Sequence, residues 1–142
     1  MKNKLDISAL KKASQAFNNA LDYARKVEDK PADTREFYET ESARAAVIQH
    51  FEFTYELCWK TMKRYIEMDI GHEADILTRK DIFRLSAERR LIVDFNKWVE
   101  FHGARNRTSH VYDESVADEV YGVAKNFNDS LLEFIATIEK RI

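Results

Sequence analysis

The residues best suited to chemistry lie together in one short segment, RNRTSHVY, from Arg105 to Tyr112. A neutral histidine can accept a proton from the 2′-hydroxyl group of a ribose, and an arginine can hold a phosphate and offset the charge that develops on it. His110 and Arg105 are therefore a candidate pair for metal-independent RNA cleavage by internal transesterification. Asn106 is expected to orient the imidazole. The side chains expected to contact the phosphate are Arg107, Thr108 and Ser109.

The spacing of Arg105 and His110 restricts how the two side chains can meet. Five residues of an ideal helix separate them by about 140°, so one straight helix does not aim both at one atom. Two arrangements resolve this: the helix ends or bends inside the segment, or a second copy of the segment completes the site across a two-fold axis. Gly103 precedes the segment and would allow another backbone to come close. A purely structural alternative is that Arg105 and Arg107 pair with glutamates and His110 caps a helix end.

Other common site types are absent from the sequence. It contains no glycine-rich phosphate loop, no C-x-x-C pair and no H-E-x-x-H zinc motif, so we predict no metal site and no cofactor. His50 is predicted to be a partly buried helix residue and His72 a solvated turn residue. Cys58 is predicted to pack as a small hydrophobe. His102 either flanks the segment or packs beside Trp98.

Helical periodicity predicts the elements that must position this segment. The chain has only three glycines and one proline in 142 residues, so few residues break helices. The predicted helices span about 7–28 and 36–69, a stretch after the Thr78–Asp81 capping box, a stretch capped by Asp94, and about 115–141. We therefore predict an all-α protein in which residues 1–142 form one domain, an up-and-down bundle of four to five helices.

Composition excludes several classes of protein. Hydrophobic residues make up 44% and charged residues 34% of the chain, which is typical of a globular protein and not of a disordered or membrane-spanning one. The formal net charge of −2 excludes a generally basic nucleic-acid binder, so any contact with RNA must be local. The single cysteine and the absence of an apolar leader indicate a reducing, cytoplasmic location.

Two separated segments resemble one group of proteins. ARNRTSHVYDE, residues 104–114, is similar to the signature of the HEPN superfamily, and the order Arg105, His110, Tyr112 matches the R-x4-H-x-Y pattern of the HepT toxins. AVIQHFEFTYELCWK, residues 46–60, resembles the second-helix signature of nucleotidyltransferase substrate-binding subunits, which belong to the same superfamily.

The resemblance implies a homodimeric helical bundle whose partner is a small nucleotidyltransferase encoded next to it. In HepT-type toxin-antitoxin modules the bundle is an RNase toxin, and the partner neutralises it by transferring AMP from ATP to the tyrosine of the motif. By this resemblance Arg105 and His110 are catalytic, Asn106 supports them, and Tyr112 is the modification site.

The same resemblance also implies an alternative function. The bundle would be the non-catalytic subunit of a two-chain nucleotidyltransferase, in which Arg105, Asn106 and Arg107 hold a nucleotide or phosphate substrate. Under either function the second helix, with aromatic side chains on more than one face, would supply a dimer or partner interface. A structural helical adaptor with a solvated motif is the third possibility.

Overall fold

The computed structural model describes residues 5–34, 36 and 38–142 of the chain. The described residues contain five α-helices and no β-strand, which confirms the predicted all-α fold. The helices are α1 (Ser8–Glu28), α2 (Glu39–Ile70), α3 (Arg79–Glu88), α4 (Phe95–Arg107) and α5 (Glu114–Glu139). Short 3₁₀ turns lie at Ala32–Thr34, Gly71–Ile76 and Thr108–His110.

Local chemistry sets the ends of three helices as predicted. At the start of α3 the Thr78 hydroxyl accepts from the backbone N–H of Asp81 at 3.1 Å, and the Asp81 carboxylate accepts from the backbone N–H of Thr78 at 3.0 Å. Asp94 caps α4 by accepting from the backbone N–H of Asn96 at 2.9 Å. Gly71 ends α2 with a φ of 67°, a conformation that glycine adopts without steric cost.

The start of α2 differs from the prediction by three residues. The helix begins at Glu39, after a turn at Tyr38, and not near Glu36. The turn is closed by a hydrogen bond from the backbone N–H of Glu39 to the carbonyl oxygen of Glu36. Periodicity alone does not mark this turn, and Arg35 and Phe37 lie outside the described residues.

The last helix is also shifted slightly. It begins at Glu114 because the Asp113 side chain accepts from the backbone N–H groups of Ser115 and Val116, at 2.9 and 3.4 Å. A hydrogen bond from the Ser115 side chain, together with these backbone hydrogen bonds, lowers the pKa of Asp113. The helix ends at Glu139, two residues before the predicted end at Arg141.

The centre of the core is the ring of Phe127 on α5. Its centroid lies 5.0–5.7 Å from the rings of Phe17 on α1, Phe51 on α2, and Trp98 and Phe101 on α4. All four contacts are edge-to-face, with interplanar angles of 62–83°. One side chain therefore packs against three other helices. The predicted inner faces of α2 and α5 are buried, as shown by Val47, Phe51, Tyr55, Cys58, Met62 and Ile66 and by Val120, Tyr121, Ala124, Phe127, Leu131, Phe134, Ile135 and Ile138.

The lack of a membrane-spanning helix, dimerisation and the domain organisation were also predicted from the sequence. No helix in the described part of the chain combines the length and the hydropathy needed to cross a bilayer. The structure describes one chain, so the homodimer stays a prediction, as does the single domain over residues 1–142.

Candidate functional site

The segment that carries the motif changes its backbone geometry half-way along. Helix α4 ends at Arg107, the 3₁₀ turn Thr108–His110 follows, and α5 begins only at Glu114. The helix therefore ends inside the motif, which was one of the two arrangements that the spacing of Arg105 and His110 required. The second arrangement, a site shared between two copies, stays a prediction.

Arg105 faces two carboxylates on α2. Its Nη1 lies 3.2 Å from Glu52 Oε2, and its Nε lies 3.2 Å from Glu56 Oε2, close enough for an ion pair but without hydrogen-bond alignment. Nη1 also donates to the hydroxyl oxygen of Thr108 at 3.2 Å. Glu52 and Glu56 are one helical turn apart and share a face of α2. The guanidinium is thus held in place, and its charge is offset within the chain.

Arg107 and Thr108 of the motif also contact other residues of the chain. Arg107 pairs with Glu119 on α5, with 2.6 Å between Nη2 and Oε1. Thr108 is buried, and its hydroxyl lies 2.7 Å from the carbonyl oxygen of Arg105 and 3.0 Å from a carboxylate oxygen of Glu52. Both arginines therefore pair with glutamates, as the structural alternative predicted. Ser109 is exposed.

His110 and Tyr112 form a pair at the surface. The Nδ1 atom of His110 lies 3.4 Å from the phenolic oxygen of Tyr112, and the two rings meet edge to face with centroids 5.9 Å apart. His110 is exposed, and Tyr112 is 84% exposed. The imidazole caps no helix, because the N-cap of α5 is Asp113. Within the described residues no hydrogen bond or ion pair joins His110 to Arg105.

Asn106 contacts His102 and not His110 in the described part of the chain. Its side-chain nitrogen is 3.4 Å from Nε2 of His102, one turn earlier on α4, and no hydrogen bond in the described part of the chain links it to His110. Because α4 ends at Arg107, the four-residue step from Asn106 to His110 is not a helical turn. In this single chain Asn106 therefore does not contact the His110 imidazole, and its role in the site stays a prediction.

His102 joins a second group of side chains that the sequence did not reveal. Its Nδ1 lies 2.9 Å from the phenolic oxygen of Tyr55 and 3.2 Å from Nη1 of Arg79. Burial and the Arg79 guanidinium lower the pKa of His102, and burial raises the pKa of Tyr55 to about 12. The sequence could indicate only the contact between His102 and Asn106, which are four residues apart. It could not indicate the contact between His102 and Arg79, because Arg79 lies on a different helix.

A groove opens beside Tyr112, between the first half of α2 and the start of α5. Its volume is about 560 Å³. The apolar part of its lining is formed by Ala45, Ile48, Val111 and Ala117, and the charged part by Glu41, Arg44, Glu52, Glu114 and Asp118. Arg44 pairs with Asp118 and lies 5.1 Å from the centroid of the Tyr121 ring. The groove is therefore negatively charged overall.

The remaining histidines and the cysteine lie where they were predicted. His50 is half-buried and packs edge-on against Phe53, with ring centroids 6.3 Å apart. His72 is exposed. Cys58 is buried, and burial raises the pKa of its thiol. Among the described residues, no three His, Cys, Asp or Glu side chains come together to hold a metal ion.

Comparison with known proteins settles the family. The family model described as "Nucleotidyltransferase substrate binding protein like" matches residues 5–140. The chain belongs to this family. The match confirms the family that the segments at residues 46–60 and 104–114 predicted.

Individual proteins that are similar to this chain agree with the assignment to the nucleotidyltransferase substrate-binding family. The chain is 44% identical over 85 residues to a protein of Haemophilus influenzae named Probable ribonuclease HepT, and the match spans 58% of each sequence. It is also similar to a solved structure from Haemophilus influenzae, described as revealing the fold of a substrate-binding domain of a nucleotidyltransferase. That comparison has a TM-score of 0.79 and 32% identity and covers 92% of this chain and 98% of the other.

A second solved structure supports the fold alone. It is a protein of Thermus thermophilus that shares 24% of its residues with this chain. Its TM-score is 0.66, and the alignment covers 87% of this chain and 96% of the other. The two proteins therefore share a similar fold at low sequence identity.

Replacing Arg105 with alanine is expected to lower the free energy of unfolding by about 1–2 kcal/mol. The change leaves Glu52 and Glu56, which are only about one-third exposed, without their shared cation. Urea unfolding monitored by circular dichroism measures the effect. Arg107→Ala is the matched control, because its partner Glu119 is 59% exposed, and we expect a loss below about 1 kcal/mol. Equal losses in both variants would contradict the prediction.

Proposed function

We propose that the chain is a metal-independent endoribonuclease toxin that a partner nucleotidyltransferase silences by transferring AMP to Tyr112. The observation that carries this proposal is the pair at the helix break: an exposed imidazole, His110, whose Nδ1 lies 3.4 Å from the phenolic oxygen of Tyr112. The name of the relative, Probable ribonuclease HepT, supports the same reaction class.

The proposed chemistry begins with the tautomer of His110. In the tautomer with its proton on Nδ1, the Nδ1–H group donates to the phenolic oxygen of Tyr112, and the lone pair of Nε2 is free. Nε2 takes the proton of a ribose 2′-hydroxyl, and the 2′-oxygen attacks the adjacent phosphorus. The bond to the 5′-oxygen breaks, and the imidazolium returns its proton to that leaving group. The products are a 2′,3′-cyclic phosphate and a 5′-hydroxyl.

Arg105 supplies the positive charge for the phosphate in this proposal. The polar contacts of Arg105 with α2 and Thr108 use Nη1 and Nε, and in the described part of the chain no hydrogen bond or ion pair uses Nη2. Nη2 is therefore left to donate to a phosphate oxygen. Since Arg105 and His110 do not meet within one chain, we place the site between two copies of a homodimer, with Arg105 from one and His110 from the other.

Modification of Tyr112 would stop this reaction in two ways. The phenolic oxygen becomes part of a phosphate ester and no longer orients Nδ1 of His110. The added AMP also carries a negative charge to the place where the RNA phosphate must bind. Tyr112 is 84% exposed, so a partner enzyme can reach it without unfolding the bundle.

Tyr112→Phe is expected to separate cleavage from silencing. The variant loses the hydroxyl that receives AMP but keeps His110, so RNA cleavage falls by no more than about tenfold, the worth of one hydrogen bond. The partner nucleotidyltransferase with ATP should add one AMP to the wild-type chain and none to the variant, as seen by intact-mass spectrometry. A Tyr112→Phe chain that the partner still modifies and silences would contradict this assignment.

A nucleotide-binding subunit without chemistry of its own is the second candidate. The related Haemophilus influenzae structure, described as a substrate-binding domain of a nucleotidyltransferase, favours it.

One assay divides the two functions. Purified chain is incubated with a labelled mixture of RNAs in the presence of EDTA, and the ends of the products are mapped. The proposed toxin yields 2′,3′-cyclic phosphate ends without added metal. Absence of cleavage, together with nucleotide binding that requires the partner, would replace the toxin with the binding subunit.

A further inference from the structure

We infer that His102 is a positioning residue of this site, which turns the side-chain amide of Asn106 so that its NH₂ group faces the ligand phosphate. The role toward RNA rests on the proposed function, whereas the arrangement of His102 and Asn106 is a property of the chain alone. His102 belongs to none of the residues that the R-x4-H-x-Y pattern covers.

The neighbours of Nδ1 determine the tautomer of His102. Its Nδ1 faces Nη1 of Arg79 at 3.2 Å and the hydroxyl of Tyr55 at 2.9 Å. A guanidinium group only donates hydrogen bonds. The Tyr55 hydroxyl can donate or accept, but a hydrogen on Nδ1 would lie against the N–H group of Arg79, so we assign Nδ1 as the acceptor. The neutral ring then carries its proton on Nε2.

The tautomer of His102 determines the orientation of the Asn106 amide. The side-chain nitrogen of Asn106 lies 3.4 Å from Nε2 of His102. Both nitrogens carry hydrogens in this tautomer, and two donors do not form a hydrogen bond. A half-turn of the amide brings its oxygen to Nε2 and places its NH₂ group where the oxygen lay. Asn106 is exposed, so the NH₂ group is available to a phosphate oxygen or a ribose hydroxyl.

Three helices hold His102 in this orientation. Arg79 on α3 stacks on the ring of Trp59 from α2, with 3.8 Å between its Cζ atom and the ring centroid. Tyr55, also on α2, is fully buried and accepts from Nη1 of Arg79 at 3.2 Å. His102 itself lies on α4. Nδ1 of His102 therefore faces the donors Arg79 and Tyr55, which packing between the helices holds in place.

Burial and neighbouring charges keep the ring neutral. Burial is the largest cause of the lowered pKa of His102, and the Arg79 guanidinium is the next. Arg105 on α4 and Lys80 on α3 also oppose a second proton on His102, and Glu56 on α2 favours it. Protonation would place a hydrogen on Nδ1 and break its contact with Arg79. The arrangement is therefore present at neutral pH and lost as the pH falls through the lowered pKa.

Nuclear magnetic resonance of the full chain tests the arrangement without RNA. We expect the nitrogen shifts of His102 to show a protonated Nε2 and an unprotonated Nδ1, and its pKa to lie below the ordinary value of about 6.5. In Arg79→Gln we expect that pKa to rise. His50, half-buried on α2, is the internal control and should not respond to Arg79→Gln. A protonated Nδ1 on neutral His102 would overturn the inference.

Cleavage kinetics test the role of His102 toward RNA. Asn106→Ala and His102→Ala are each expected to raise the KM for RNA about tenfold, the worth of one hydrogen bond, and the double variant should lose no more. His102→Gln keeps an N–H donor near the position of Nε2 and should restore most of the affinity. Additive losses, or a His102→Ala chain with wild-type KM, would overturn the inference. A wild-type chain that cleaves no RNA overturns the proposed function, and the nuclear magnetic resonance measurement still decides the arrangement.

Discussion

His110→Ala is expected to reduce RNA cleavage by about 10²–10⁴-fold, the usual contribution of a general base. The imidazole is the exposed proton acceptor of the motif, and neither Tyr112 nor Ser109 can replace it near neutral pH. The loss should appear in kcat rather than in KM, because the imidazole acts on the proton that moves in the transition state. Expression of the variant should no longer inhibit growth.

The fold of this variant is expected to be unchanged. His110 is exposed, and among the described residues its side chain forms a hydrogen-bond-distance contact and a ring contact with Tyr112, which is itself exposed. The free energy of unfolding should therefore stay within about 0.5 kcal/mol of the wild type. His72→Ala, a change at an exposed histidine outside the motif, is the matched control and should retain cleavage within a few-fold. If His110→Ala cleaves RNA as fast as the wild type, the catalytic assignment is wrong.

Phe127→Ala is expected to lower the free energy of unfolding by about 3–5 kcal/mol. The ring is fully buried and packs against aromatic side chains from α1, α2 and α4. Its removal leaves a cavity that three helices border, and a bundle held on several sides closes such a cavity only in part.

Urea unfolding measures this loss as a lower midpoint at an unchanged slope. Leu132→Ala on the same helix is the matched control, because Leu132 is 46% exposed and its truncation should cost about 0.5 kcal/mol or less. A loss below about 1 kcal/mol for Phe127→Ala would show that the core does not depend on this ring.

The helices could be predicted because their signals are local. Thr78 with Asp81, Asp94 and Gly71 mark helix ends through bonds or backbone angles within a few residues. The apolar stripes repeat over many residues, so small errors at the ends did not change the fold. The start of α2 was placed too early because the turn at Tyr38 leaves no mark in the apolar pattern.

The contacts of the site could be predicted only in part, because they join residues far apart in sequence. That Arg105 pairs with a glutamate was one alternative, but its partners Glu52 and Glu56 lie some fifty residues earlier and could not be chosen. Arg79 meets His102 only because α3 packs beside α2 and α4. Asn106 was expected to orient His110 on the assumption of a continuous helix, and the end of α4 at Arg107 removes that relation.

The break between α4 and α5 also has a consequence for hydrogen exchange. The backbone from Thr108 to Asp113 is held by short-range bonds, such as those from Thr108 N–H to Arg105 and from Asp113 N–H to His110. Amide protons there should exchange through local opening, while those beside Phe127 and Phe51 wait for the whole bundle to unfold. The histidine and tyrosine of the motif can therefore change their relative position repeatedly within the lifetime of one folded molecule.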